Sequence, residues 1–319
     1  MALREPCLVV IFNHKFDQNI EKIRRIYKNR FNTIFFLVPF YDGDDPFVIS
    51  IYASSDVFSL FISQAYPKLK EIDSPFFVFI GDDLLLNKNI DSQNITKKLN
   101  INTGSAYIKY IQNIADINIC NWKHAVSAIL KTSQRCPKSL YININKELPS
   151  PDEALSCFNK HGISTNTKIT IKNINLITIL KEIIKRRVFL SPNCQGAMLE
   201  KIVYDILRYG YYKIQYPLAF SYSDFFVIPR ESLQLFSHYC GIFGAWDIFV
   251  EIAIPTSLLL SCDSIVFENI IKGYEIWDRD ERTRFLQEHE DLGSIFSYMD
   301  AHNLLYIHPI KLSKLENLC

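Results

Sequence analysis

The chain has 319 residues, with 35 Lys+Arg against 34 Asp+Glu and a formal net charge of +1. A hydrophobic share of 48% and a charged share of 22% exclude a disordered chain, and the length accommodates one elaborated α/β domain or two small ones without staples. Near-neutral charge supplies no general attraction for a phosphate backbone, which argues against a nucleic-acid partner.

The cysteines fall at Cys7, Cys120, Cys136, Cys157, Cys194, Cys240, Cys262 and Cys319, with no C-x-x-C pair and no close Cys/His cluster. Cys7 and Cys262 sit in apolar runs, where a free thiol acts as a small hydrophobe. Arg4 and Glu5 lead directly into an apolar run rather than a signal peptide. No uncharged apolar stretch reaches the roughly 20 residues of a membrane span; the longest, Ile248 to Cys262, is broken by Glu251 and Pro255. These features lead us to expect a cytoplasmic protein with reduced thiols.

In chain order, Leu8–Phe12 reads as a buried strand followed by the loop Asn13-His14-Lys15. Asp17 is placed to cap a helix whose apolar positions Ile20, Ile23, Tyr27 and Phe31 recur at helical spacing. Thr33–Val38 is a second strand, ending at Pro39 and the turn Asp42–Asp45, and Phe47–Tyr52 is a third. Ser54 or Ser55 caps a helix burying Phe58, Phe61, Ile62, Ala65 and Leu69. Phe76–Ile80 is a fourth strand and runs into Gly81-Asp82-Asp83. Strands alternating with helices imply an α/β fold with a mainly parallel central sheet flanked by helices. Ligands bind such sheets at the carboxyl ends of the strands, where the loops at Asn13, Tyr41 and Asp82 would lie along one edge.

Residues 88–190 have poor periodicity, with turns expected at Asn102-Thr103-Gly104 and Pro149-Ser150-Pro151 and one helix over Leu176–Arg187. From Met198 to Leu207 an apolar stripe predicts a helix stopping at Gly210. Ser221–Pro229 reads as a strand, Glu231–Cys240 and Trp246–Leu260 as helices, and Asp278–Asp291 as an exposed helix. No sharp boundary divides the chain. The expectation is one domain, 1–319, with a first half over 1–87, a variable middle over 88–190 and a second half with the tail over 191–319.

The strongest chemical signal is the run from Phe76 to Asn87, in which an apolar strand delivers the adjacent carboxylates Asp82 and Asp83. Two neighbouring carboxylates repel unless a cation or hydrogen-bond donors neutralise them. A hard divalent ion accepts such oxygens together with those of a diphosphate. The plainer alternative is a solvated acidic turn.

Ile80-Gly81-Asp82-Asp83 at the end of a central strand resembles the acidic metal motif of the nucleotide-sugar-dependent glycosyltransferases of the GT-A fold. Gly81 stands where a strict D-x-D motif has its first acid. The resemblance covers residues 8–87 and implies a nucleotide-binding first half and an acceptor-binding second half. It implies Mn²⁺ or Mg²⁺ on Asp83, with Asp82 nearer the ribose or diphosphate. Asn13 and His14 fall where the family contacts base and ribose; Tyr41, after the second strand, is placed to stack on a base, and Asp56 heads the next helix. Asp56 reads equally well as a first-turn helix acid.

Two later segments extend the resemblance. Gly244-Ala-Trp-Asp247-Ile-Phe-Val-Glu251 is similar to the family's acidic segment under the acceptor site. A helix there would put Asp247 and Glu251, four apart, on one face as candidate catalytic carboxylates, to take a proton from the attacking hydroxyl or stabilise the sugar cation. The same pair also reads as a helix cap and a core-edge Glu. His308-Pro309-Ile310-Lys311 resembles a tail that returns a His to the metal and a Lys to the diphosphate, with His302 as a competing candidate. Tyr209, Tyr211 and Tyr212 either line a sugar cleft or pack in the core.

The resemblance therefore implies a metal-dependent glycosyltransferase. It would move a sugar from a nucleotide-sugar donor to a glycan or glycolipid acceptor in polysaccharide or glycan assembly, at the inner face of a membrane. Lys22–Arg30, basic and interleaved with apolar residues, could touch that membrane or be a solvated helix face. A catalytically inactive binding or scaffold protein of the same fold is the alternative, suggested by Gly81. A sugar nucleotidyltransferase is disfavoured, because the loop Asn13–Asp17 lacks glycine.

Overall fold

The computed structural model of the chain describes residues 4–118, 122–133, 144–174 and 194–312. The chain forms two compact units, one from residues 1–110, 222–235 and 262–319 and the other from 111–221 and 236–261.

The first unit is α/β. β1 (Cys7–Ile11), β2 (Ile34–Pro39) and β4 (Phe76–Gly81) are buried along their whole length, as continuous apolar runs covered on both faces must be. β3 (Val48–Ile51) is partly exposed at the edge. α1 (Gln18–Tyr27) buries Ile20, Ile23 and Tyr27, and α2 (Phe58–Leu69) buries Phe58, Phe61, Ile62, Ala65 and Leu69, both on the stripes the spacing predicts.

The expected caps differ. Asp17 adopts helical backbone angles and makes no side-chain cap bond, because the chain already turns there through Asn19 N–H to Phe16 O and Ile20 N–H to Asp17 O. A single 3₁₀ turn, Ser55–Val57, precedes α2, so backbone bonding from Val57 N–H to Ser54 O replaces a serine side-chain cap.

After β5 (Leu85–Leu86) and β6 (Ser105–Ile108) the chain leaves this unit and returns as β7 (Phe225–Pro229) and β8 (Ser264–Phe267). The central sheet has seven strands in the order β8-β6-β7-β4-β1-β2-β3. All run parallel except β7, which lies antiparallel between β4 and β6. The winding goes from β1 outward to β2 and β3, then returns to place β4 on the other side of β1. The carboxyl ends of β1 and β4 therefore flank the reversal point, where an open parallel sheet leaves a crevice. Phe79 of β4 stacks on Phe226 of β7 at 4.8 Å and 14°, a geometry that adds about 0.5–1.5 kcal/mol beyond area burial.

A second sheet orders β9 (Lys272–Glu275), β10 (Leu304–His308) and β5, with β10 parallel to β9 and antiparallel to β5. Between β9 and β10 the charged stretch forms the expected helix, α3 (Arg279–Glu288), and a further helix, α4 (Leu292–Ala301), follows it. Each has its own aspartate cap, Asp278 and Asp291.

The second unit is mainly helical. Its helices include Lys123–Lys131, Pro151–Lys160 and Cys194–Tyr209, the last stopped at Gly210 with φ +81° as its sequence predicts. Ile114, Ile129, Ile202, Phe243 and Ile252 share its apolar core. The helix expected over Leu176–Arg187 lies outside the described residues.

Among the described residues no helix is long and apolar enough to cross a membrane. Cys7, Cys157, Cys240 and Cys262 are free thiols. Burial pushes Cys7 up to about 12, which leaves it unreactive.

Candidate functional site

Four segments of the first unit meet where β4 ends. Asp82 N–H donates to Ile11 O at 2.9 Å, and Asn13 N–H donates to Asp82 Oδ1 at 3.1 Å, so the loop after β1 is tied to the loop after β4. Ile310 N–H donates to Asp83 O at 2.6 Å, which brings the tail after β10 to the same point. β7 runs against β4, so its amino end arrives where β4 departs, and Gly81 N–H donates to Asp224 O at 3.0 Å.

These loops border a cleft of ≈ 430 Å³ lined by Asn13, His14, Asp82, Asp83 and Lys311, among others. That volume is in the range of small-molecule sites. Asn19, at the start of α1, also lines the cleft; it is 7% exposed, and its Oδ1 has no hydrogen-bond partner. Ser55 lines the opposite side, before α2.

The carboxylates here are crowded and short of donors. Burial raises Asp82 to about 7, helped by the charge of Asp83 and opposed by the Asn13 N–H. Burial likewise raises Asp224 to about 6, with His308 opposing and Asp83 and Glu275 adding to the rise. Burial alone would pull His308 down, but Asp83, Asp224 and Glu275 outweigh it and hold the imidazole above its ordinary value. His308 Nε2 lies 3.2 Å from Asp83 Oδ1 and 4.0 Å from Asp224 Oδ2. No aligned hydrogen bond joins Asp83 Oδ1 to His308 Nε2, and Asp83 Oδ1 is a buried polar atom without a hydrogen-bond partner, as is the other ring nitrogen, His308 Nδ1.

Such an orphaned carboxylate oxygen beside an imidazole nitrogen suits a divalent cation. With metal–ligand distances near 2.1 Å, two ligands at a right angle lie about 3 Å apart. Among the described residues no group of three or more His, Cys, Asp and Glu side chains is disposed to hold a metal. The fit is therefore to an ion with two protein ligands, Asp83 and His308. An ion with so few protein ligands keeps waters and takes substrate oxygens for the rest, and the imidazole favours Mn²⁺ over Mg²⁺.

Gly81 has a steric reason. A Cβ there would lie 3.3 Å from Asp83 Oδ1, tighter than an ordinary contact, and 3.7 Å from Asp224 Oδ1, an ordinary one, so the glycine relieves crowding at Asp83.

The structure thus gathers Asn13, His14, Asp82, Asp83, His308 and Lys311. Tyr41 instead folds over its own turn, where its OH accepts from Asp45 N–H at 3.4 Å, and neighbouring Asp42 pairs with Lys15. Asp56 is exposed in the single turn before α2; its neighbour Ser55, not Asp56, borders the cleft. His302 sits exposed at the end of α4, with Nδ1 2.9 Å from Tyr298 O.

Asp247 and Glu251 belong to the second unit. The expected shared helix face is corrected there, because the helix is Val250–Ser261 and Asp247 precedes it with φ 53°. Ile248 N–H donates to Phe243 O and Asp247 N–H to Gly244 O, the paired bonds of a Schellman motif that ends the preceding helix. Asp247 occupies its left-handed position, exposed and ion-paired with Lys131 at 2.6 Å. Glu251 is half-buried, and its carbonyl accepts from Ser221 N–H. Of the three tyrosines, Tyr209 and Tyr211 are exposed and Tyr212 is core.

Asp224 is the site residue the sequence does not announce. It stands one residue before an apolar strand, and only the antiparallel placement of β7 turns that position toward Asp83. Trp277, 63% exposed, also escapes the sequence patterns; its ring packs edge-on against His308 at 5.6 Å. In comparisons with known proteins, no family model matches the chain and no curated protein matches it.

Proposed function

We propose that this chain is a metal-dependent glycosyltransferase of GT-A type, which binds a nucleotide-activated sugar in the cleft between the ends of β1 and β4. The observation that carries the reading is the approach of Asp83 Oδ1 and His308 Nε2 to 3.2 Å without a hydrogen bond, at the mouth of a cleft shared with Asn13 and Lys311. A bound Mn²⁺ or Mg²⁺ would neutralise charge on a departing nucleoside diphosphate. Asp83 and His308 would hold that ion. Lys311 is placed to offset phosphate charge from the cleft wall, and Asn13 and His14 line the side where a nucleoside would lie. The acceptor would come from glycan or glycolipid assembly.

Against the alternative of an inactive scaffold stands the steric role of Gly81. A Cβ at this position would press on Asp83 Oδ1, which supports reading the glycine as part of the site's packing. A thermal-shift screen of UDP, GDP and their sugar conjugates, with Mn²⁺ and with EDTA, tests the reading. Stabilisation by a nucleotide only in the presence of Mn²⁺ supports it; a flat screen removes it.

A further inference from the structure

Trp277 stays largely exposed although it packs edge-on against two buried rings, Tyr222 and His308. It follows β9 directly, between Ile276, which is fully buried, and Asp278, whose carboxylate caps α3 through Asp280 N–H and Glu281 N–H. Ile276 N–H also donates to His308 O at 2.7 Å. The backbone on both sides is therefore fixed, while the indole stays 63% exposed. Its ring stands against His308 at 5.6 Å and 70°, and against Tyr222 at 6.1 Å and 77°. Of the other two tryptophans, Trp246 is buried, and Trp122 packs against Phe220 and Phe249.

Trp277 thus presents an exposed aromatic surface beside the buried pair His308 and Asp83. Two features define what it would contact. The nucleotide-sized cleft borders Asp83 on one side, and Trp277 packs on His308, the residue that meets Asp83. Asp224, whose side chain is 19% exposed, stands 4.0 Å from His308 Nε2 and offers a carboxylate acceptor nearby. An aromatic face with a carboxylate close by is the chemistry that reads a pyranose: the C–H face of the sugar covers the indole and its hydroxyls donate to the acid.

We propose that Trp277 is the platform for the sugar ring of the nucleotide-sugar donor, with Asp224 accepting from a sugar hydroxyl. The inference rests on the cleft being a nucleotide site, and the test separates the two. Calorimetry would compare UDP and GDP with UDP-glucose, UDP-N-acetylglucosamine and GDP-mannose, all with Mn²⁺, on the full chain and on Trp277→Ala and Trp277→Phe. Trp277→Ala should leave UDP and GDP affinity within about two-fold and weaken at least one sugar conjugate by about five-fold or more, with Trp277→Phe recovering most of the loss. The exposed indole should also be quenched by that conjugate and not by the bare diphosphate, a signal absent from Trp277→Phe. Sugar conjugates weakened no more than the diphosphates overturn the platform and leave the nucleotide site standing. Failure of every diphosphate and conjugate to bind the unmodified chain overturns both.

Discussion

Asp83 and His308 are 225 positions apart in the sequence, yet their Oδ1 and Nε2 atoms stand 3.2 Å apart, held there by main-chain bonding between Asp83 O and Ile310 N–H. Because that bond is made by backbone, either side chain can be changed without releasing the tail from β4. His308→Ala should therefore keep the fold while weakening Mn²⁺ binding by ~10-fold or more and reducing any preference for Mn²⁺ over Mg²⁺, since imidazole favours the transition ion. Mn²⁺ titration followed by electron paramagnetic resonance reads this directly. Unchanged affinity and preference would release His308 from the role.

The site also sets a pH dependence. Asp82 is raised to about 7 and Asp224 to about 6, both from an ordinary 3.8. His308, facing Asp83, Asp224 and Glu275, is raised as well. A group with a raised folded-state value binds protons more tightly in the folded chain. Its contribution is complete below the unfolded value and is lost as pH rises through the folded one. The metal-free protein should lose stability between about pH 4 and pH 8, and saturating Mn²⁺ should restore more of it at pH 8 than at pH 5. Melting temperatures across that range, with EDTA and with Mn²⁺, check it. Asp82→Asn should flatten the metal-free curve, and a variant curve as steep as the original would contradict the assignment.

Gly81 offers a sharper contrast between an active and an inactive site. If the glycine were a lost acid, Gly81→Asp would improve metal binding. A Cβ at this position meets Asp83 Oδ1 at 3.3 Å, so both Gly81→Ala and Gly81→Asp should weaken Mn²⁺ binding by several-fold as Asp83 is displaced. Calorimetry with Mn²⁺ alone distinguishes the two outcomes.

Much of the first half is legible in the sequence. β1, α1, β2, β3, α2 and β4 each follow from an unbroken apolar run or a helical stripe, and the parallel-sheet rule then puts Asn13 and Asp82 on one edge. Features that depend on long-range placement are not legible. Asp224 reads as a polar position inside the expected strand Ser221–Pro229 until β7 is known to begin at Phe225 and to run against β4. Gly244-Ala-Trp-Asp247 reads as a helix start, yet it is the end of the preceding helix, because an aspartate can take the left-handed position usually given to glycine. Pro149-Ser150-Pro151 reads as a turn by its prolines, yet Ser150 forms a capping box with Glu153 that opens the helix Pro151–Lys160.

Support for the site from the second sheet can be tested at Gly273. A Cβ there would fall 1.9 Å from the Tyr306 ring, whose OH donates to Glu275 Oε1 at 2.5 Å while Lys109 pairs with the same carboxylate. Gly273→Ala must push Tyr306 aside and should cost about 1–3 kcal/mol of stability, measured by denaturant unfolding. A neutral effect would mean that β9 and β10 can separate without cost.

In the proposed function Asp83 holds a cation, which in turn holds a diphosphate. Isothermal calorimetry of UDP and GDP with the unmodified chain and with Asp83→Asn, each with Mn²⁺ and with EDTA, tests it most directly. Binding by the unmodified chain that requires Mn²⁺ and falls ~100-fold or more in Asp83→Asn is the predicted result. Affinity that survives EDTA, or that Asp83→Asn leaves intact, contradicts the claim.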